Sequence, residues 1–167
     1  FPLFGVNIAI RHSLPSEADV LKSSTESVML DFMTKVTFEN LITIQATSPM
    51  LTSGDLDKAI MLFKANGYDS MLSAVRVKRF FWNDDGIPLN YDPLHRPRRQ
   101  SFQGTLMENG AFYVTRRETL DKNQCRLGGN IGIYEMSDDS AMEIDEPADW
   151  ERVEKIIWEE LSRKADL

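Results

Sequence analysis

Three arginines within four residues, Arg96, Arg98 and Arg99, are interrupted by Pro97, which disfavours a helix and fans the side chains out. A guanidinium donates two parallel hydrogen bonds from a planar fork, so this cluster suits a carboxylate or a phosphate. A solvated basic loop uses the same residues. Farther along, Glu143 and Asp145 alternate with Ile144, so on an extended segment both carboxylates leave the same face. Such a pair can share a hard divalent cation such as Mg²⁺, which keeps several waters for substrate phosphates. Acidic residues ahead of a helix also complement its dipole, the commoner use of the pattern.

Gln45, Thr47 and Ser48 belong to the run Ile44-Gln45-Ala46-Thr47-Ser48-Pro49. An amide and two hydroxyls there could bind a polyhydroxylated acid without charge repulsion, although an ordinary capped turn is the commoner origin of such a pattern. Ser23, Ser24 and Thr25 offer an N-cap. His12 and His95 have no Asp or Ser partner at a recognised spacing, which argues against a hydrolytic triad. The one cysteine, Cys125, excludes an internal disulfide and a thiolate metal cage, and suits a reducing compartment.

The elements that must position these groups follow from periodicity. Val6 to Ile10 is an apolar run fit for a strand, and Ser23 to Lys35 carries Val28, Met29, Phe32 and Met33 at helical spacing. Leu41 to Ala46 predicts a strand. Ser53 can cap a helix whose Leu56, Ala59, Ile60 and Phe63 face one way until Gly67 stops it. Asp69 to Val75, Gly110 to Arg116 and Ile131 to Met136 have strand character. Pro147 opens a final helix with Trp150, Val153, Ile156, Ile157 and Leu161 as its apolar stripe. Strands alternating with helices predict parallel βαβ units with right-handed crossovers. Arg76 to Gln103 breaks the pattern with an arginine-, aromatic- and proline-rich excursion, and so long a loop in a compact domain is usually functional.

The 167 residues suffice for one domain that buries about 70% of its unfolded-chain surface. A net charge of −7 argues against a polyanion binder, because nucleic-acid affinity rests on neutralised phosphates. No apolar run approaches a membrane span, and the opening FPLFGVNIAI suits a strand better than a signal peptide. The expected compartment is the cytoplasm, or the nucleus in a vertebrate-like eukaryote.

Taken in order, the Gln45 to Pro49 run, RRQSFQGTLMENGAFYVT from Arg98 to Thr115, and Ser140 to Asp145 followed by Asp149-Trp150 resemble the sugar-acid half of the CMP-sialic acid synthetase (N-acylneuraminate cytidylyltransferase) family. The resemblance covers nearly the whole chain. It implies a three-layer, Rossmann-like α/β fold of the nucleotide-diphosphosugar transferase type, with a mostly parallel sheet and with residues 76–103 as a dimerisation arm or substrate flap. It further implies CTP and sialic acid as substrates, Mg²⁺ or another divalent cation as cofactor, and a homodimer. By position, Arg99 with Arg98 and Gln100 would hold the acid's carboxylate, and Gln45, Thr47 and Ser48 would contact the sugar. Asn109 would position the loop or a hydroxyl, Tyr113 would line the sugar pocket, and Ser24 would lie near the nucleotide. Asp145 and Glu143 would bind metal, although the family has Asp-Ile-Asp where this chain has Glu143 with its longer arm. Asp145 and Arg99 are the expected catalytic groups. Members open with a glycine- and lysine-rich loop for the CTP triphosphate. The expectation is that residues 1–167 form a single domain without that loop, so the chain alone is not expected to turn over. The alternatives are a non-catalytic dimerising partner or fragment of such an enzyme, or a synthetase for a related nonulosonic acid.

Overall fold

A computed structural model describes residues 24–165, apart from the side chains of 160, 161 and 163–165. The expected strand at Val6 to Ile10, together with His12 and Ser23, lies outside the described residues. The chain divides into two compact units, Phe1–Thr37 and Phe38–Leu167. In the first, helix α1 (Thr25–Lys35) starts where the Ser24 hydroxyl accepts the Ser27 N–H at 3.2 Å. Lys35 closes its last turn on Asp31 at 2.6 Å.

The second unit contains strand β1 (Asn40–Ile44), helix α2 (Ser53–Asn66) and strands β2 (Ser70–Val77) and β3 (Thr105–Arg116). Helix α3 (Arg117–Asn123), strand β4 (Ile131–Met136) and helix α4 (Pro147–Ala165) complete it. The sheet order is β1-β3-β2-β4. β2 and β4 pair in parallel, whereas β3 pairs antiparallel with both β1 and β2. Three strands therefore share one direction, as the alternation predicts, and β3 opposes them. The reason is local: no helix separates β2 from β3, so the chain simply folds back through residues 78–104. The fold is α/β with a mixed sheet.

Helix α2 is fastened at both ends. The Thr52 hydroxyl accepts the Asp55 N–H at 3.2 Å and Asp55 accepts the Thr52 N–H at 3.1 Å, so the cap is Thr52 and not Ser53. Gly67, at φ 62°, terminates the helix in the left-handed region. The face so fixed packs Ala59 and Phe63 against Met71, Val75, Phe112, Val114 and Met136. Burying each of the larger side chains contributes about 1.5–3 kcal/mol. Residues 126–128 cross the opposite sheet face, where the Thr115 hydroxyl donates to the Arg126 carbonyl at 2.7 Å and Ser70 Oγ donates to the Gly128 carbonyl at 2.8 Å.

The excursion holds one 3-10 turn, Pro93–His95, and a short reversal in which Trp82 bridges Pro88. It is ordered by an aromatic knot. The Phe80 ring lies 4.3 Å from Tyr91 and 5.0 Å from Phe102, with the Arg96 guanidinium 4.7 Å above Phe80. Asn90 pins this knot to the sheet by donating to Thr105 Oγ1 at 2.7 Å. In α4, Val153 is buried, but Trp150 is 61% exposed and so stands outside the apolar stripe expected for it. Among the described residues no helix is long and apolar enough to cross a membrane.

Candidate functional site

Strand β3 is irregular at the place where the chemistry-bearing residues gather. Leu72 pairs with Tyr113 and Ala74 with Glu108, so Ser73 alone faces the four residues Asn109 to Phe112. This wide bulge is held by the Phe112 N–H donating to Ser73 Oγ at 3.0 Å. Gly110 takes φ 64° at its centre, a backbone conformation that side-chain-bearing residues rarely adopt. Because five sequence positions are compressed into the span of two, Tyr113 reaches back to Glu108, and its hydroxyl donates to Glu108 Oε1.

The bulge sits at the carboxyl end of β1, where ligands of open α/β sheets collect. The Gln45 N–H donates to the Ala111 carbonyl at 3.0 Å, carrying the Gln45-Ser48 turn directly off the bulge. The Ile144 N–H then donates to the Thr47 carbonyl at 2.9 Å, which seats the Glu143-Ile144-Asp145 segment on that turn. Glu143 Oε1 lies over Gly110, so close that a β-carbon there would approach it to 3.1 Å. Three sequence-remote segments thus meet around one glycine.

Within this assembly the polar side chains divide by burial. Asn109 is 2% exposed and donates to the Ser140 carbonyl at 2.9 Å and to Met136 Sδ at 3.4 Å, so it ties the 138–141 turn to β3. Its Oδ1 and the buried Ser48 Oγ have no hydrogen-bond partner among the described residues. Tyr113 is 3% exposed, and burial first, then its bond to Glu108, pushes the phenol up to about 12. The Arg126 guanidinium stacks on the Tyr113 ring at 4.4 Å and acts in the opposite direction. Gln45 is half-buried, whereas Thr47, Glu143 and Asp145 are exposed. Asp149 accepts the N–H groups of Asp145 and Glu146 at 3.2 and 3.0 Å, bracing the start of α4.

Gln45, Thr47, Ser48, Asn109, Tyr113, Glu143 and Asp145 are therefore linked through one hydrogen-bonded assembly or its immediate chain neighbours. Arg98, Arg99 and Gln100 are exposed on the arm. Ser24, in the other unit, has its hydroxyl engaged as the α1 cap. Among the described residues no three His, Cys, Asp or Glu side chains come together to enclose a metal. Glu108 and Arg126 escaped the motif-based reading. A signal for Glu108 was present, since Asn109-Gly110 is a dipeptide that favours positive φ and marks an irregularity where neighbours can be re-aimed.

No protein-family model matches the chain. It is 37% identical over 121 residues to N-acylneuraminate cytidylyltransferase A of Danio rerio, covering 68% of this chain and 28% of that protein. The B form from Danio rerio is 33% identical over 142 residues, 81% of this chain and 33% of that protein. A post-translational flagellin modification protein B from Campylobacter coli is 29% identical over 138 residues, 80% of this chain and 59% of that protein. The chain thus spans a third or less of the length of these two cytidylyltransferases. Among solved structures, a 4-diphosphocytidyl-2C-methyl-D-erythritol synthase from Anaerococcus prevotii superposes with TM-score 0.56 at 9% identity, over 81% of this chain and 67% of that one. The two share a fold.

Proposed function

Because the chain belongs to the N-acylneuraminate cytidylyltransferase family, we propose that it serves transfer of a cytidylyl group from CTP to the anomeric hydroxyl of a sialic acid, giving the CMP-sugar and pyrophosphate. The observation that carries this reading is the meeting of the Gln45-Ser48 turn, the Glu143-Asp145 segment and the β3 bulge at the carboxyl end of β1. That assembly supplies amide, hydroxyl and carboxylate groups on a rigid sheet end, suited to a polyhydroxylated acid beside a phosphate-bound cation.

Gln45, Thr47 and Ser48 would hold hydroxyls of the acceptor, and Arg99, flanked by Arg98 and Gln100, its carboxylate. Ser24 would contact the nucleotide. Glu143 and Asp145 offer two oxygen donors at alternate positions of one segment. This donor set fits Mg²⁺, which takes a few carboxylates and fills its remaining positions with water and phosphate oxygens. When bound, the cation supplies charge neutralisation at the phosphates. The protein's own contribution is orientation: fixing the acid by its carboxylate and hydroxyls brings the anomeric oxygen to the nucleotide as an effectively unimolecular partner.

Homodimerisation through the arm is part of the proposal. Its side chains Trp82, Ile87, Leu89 and Leu94 are 50–89% exposed, an apolar load that a second copy would cover. A second reading keeps the reaction and changes the acceptor to a related nonulosonic acid, because the match to the flagellin modification protein has similar coverage of this chain.

The test is steady-state pyrophosphate release by the full-length protein with CTP and N-acetylneuraminate, parent against Arg99→Ala. Loss of a charge-assisted contact of about 1.5–3 kcal/mol should raise the KM for the acid roughly 10- to 150-fold. The KM for CTP should change little. An equal effect on both substrates refutes the carboxylate role of Arg99, and absence of CMP-sugar formation by the parent refutes the reaction.

A further inference from the structure

Glu108 is exposed, lies next to the bulge, and has one of its oxygens fixed by a tyrosine that is itself 3% exposed. The only hydroxyl hydrogen of Tyr113 is engaged in the bond it donates to Glu108. Its effect is to hold the carboxylate. The ring is clamped in turn, by the Arg126 guanidinium at 4.4 Å and by the ladder pairing of Tyr113 with Thr43 and Leu72. Burial and the Glu108 bond keep the phenol protonated, hence a donor, well beyond neutral pH. A surface carboxylate ordinarily loses rotamer entropy when it binds; one already fixed by a buried donor has less to lose.

We propose that Glu108 contacts the sugar acid, accepting a hydrogen bond from one of its hydroxyls through Oε2, and that Tyr113 is the positioning residue that holds the carboxylate for it. This rests on the proposed acceptor. The chemistry of the contact follows from charge: Glu108 lies two residues before Gly110 in β3 and Glu143 Oε1 lies over that glycine from another segment, so this wall repels the acid's carboxylate and favours hydroxyl donors. The arginines of the arm would take the anionic end. Glu108 would therefore help to select which hydroxylated acid is accepted, discriminating against an analogue that lacks the matching hydroxyl.

The experiment is isothermal titration calorimetry of the full-length protein with N-acetylneuraminate and its single deoxy analogues. The proteins compared are the parent, Glu108→Ala, Glu108→Gln and Tyr113→Phe, with thermal melts as the folding control. On the parent, one deoxy analogue should bind about tenfold or more weaker than N-acetylneuraminate. On Glu108→Ala that difference should vanish, and on Glu108→Gln, which keeps one acceptor oxygen where the carboxylate has two, part of it should return. Tyr113→Phe should shrink the difference although Glu108 is still present, which a merely structural tyrosine would not do. If N-acetylneuraminate binds but every analogue shows the same ratio on parent and Glu108→Ala, the role of Glu108 is overturned while the acceptor stands. Full discrimination in Tyr113→Phe removes Tyr113 from the proposal. No binding of N-acetylneuraminate by the parent overturns the acceptor and this inference together.

Discussion

Asn109→Ala tests whether this buried amide holds the site together or touches its ligand. The substitution removes the donor to the Ser140 carbonyl at 2.9 Å and the weaker contact to Met136 Sδ, and strands that carbonyl beside a small void. A buried acceptor left without its partner costs about 1–3 kcal/mol. The deleted Oδ1 offsets little of that, because it has no partner to lose among the described residues. The expected destabilisation is therefore about 1–3 kcal/mol, and at this chain length each kcal/mol lowers the melting temperature by roughly 2–4 °C. Asn109→Asp should be worse than alanine: a carboxylate 2% exposed would face the Ser140 carbonyl with no proton to offer. Far-UV circular dichroism is the suitable probe, since Trp82, Trp150 and Trp158 are all at least half exposed and report poorly on the core. An Asn109→Ala protein that melts with the parent yet no longer binds the sugar acid would refute the reasoning and make Asn109 a ligand contact.

Asp145→Asn should melt within about 0.5 kcal/mol of the parent, because its carboxylate is exposed and only its backbone N–H is engaged, with Asp149. If the proposed reaction holds, single-turnover cytidylyl transfer by the full-length protein should nonetheless fall by orders of magnitude across a Mg²⁺ titration; parent-like turnover would move the metal elsewhere. Tyr113 makes stability depend on alkaline pH. Its phenol titrates near 10 when unfolded and about 12 when folded, so the contribution is complete below pH 10 and is lost as pH rises through about 12. Urea midpoints of the parent should fall across that window more than those of Tyr113→Phe, and coincident profiles would contradict the assignment.

What could be read from residues alone was the part governed by short-range rules. Helical spacing from Leu56 to Phe63, ended by Gly67, located α2 to within a residue of its cap, because capping and periodicity are local. The direction of β3 was not legible. Its apolar run from Ala111 to Val114 looks the same in either orientation, and what reverses it is the arm, whose knot of Phe80, Tyr91, Phe102 and Arg96 obeys no period. Trp150 illustrates another limit: an aromatic at helical spacing looks like core until the packing on that side of α4 is known. For the site, residue types around Gln45 and Glu143 marked two segments as chemically capable. That they join through Thr47 and Ile144 depends on backbone atoms, which carry no sequence signature.

The antiparallel course of β3 makes a site of that type possible. A parallel strand ends where its neighbours end, and its side chains would reach the ligand only through the loop that follows. Since β3 enters from the arm, it crosses the carboxyl end of the sheet before pairing with β1, and its residues 108–111 lie beyond the last β1 pair, Ile44 with Phe112. A regular strand there would send Glu108 and Tyr113 to opposite faces, five positions apart. The bulge at Ser73 changes that parity, and a glycine at φ 64° is what the backbone requires to make it. The same glycine leaves the space that Glu143 occupies. One backbone irregularity therefore aims Glu108, buries Tyr113 beneath it and admits the acidic segment, so that the arm, the bulge and the carboxylates form one connected device rather than three separate features.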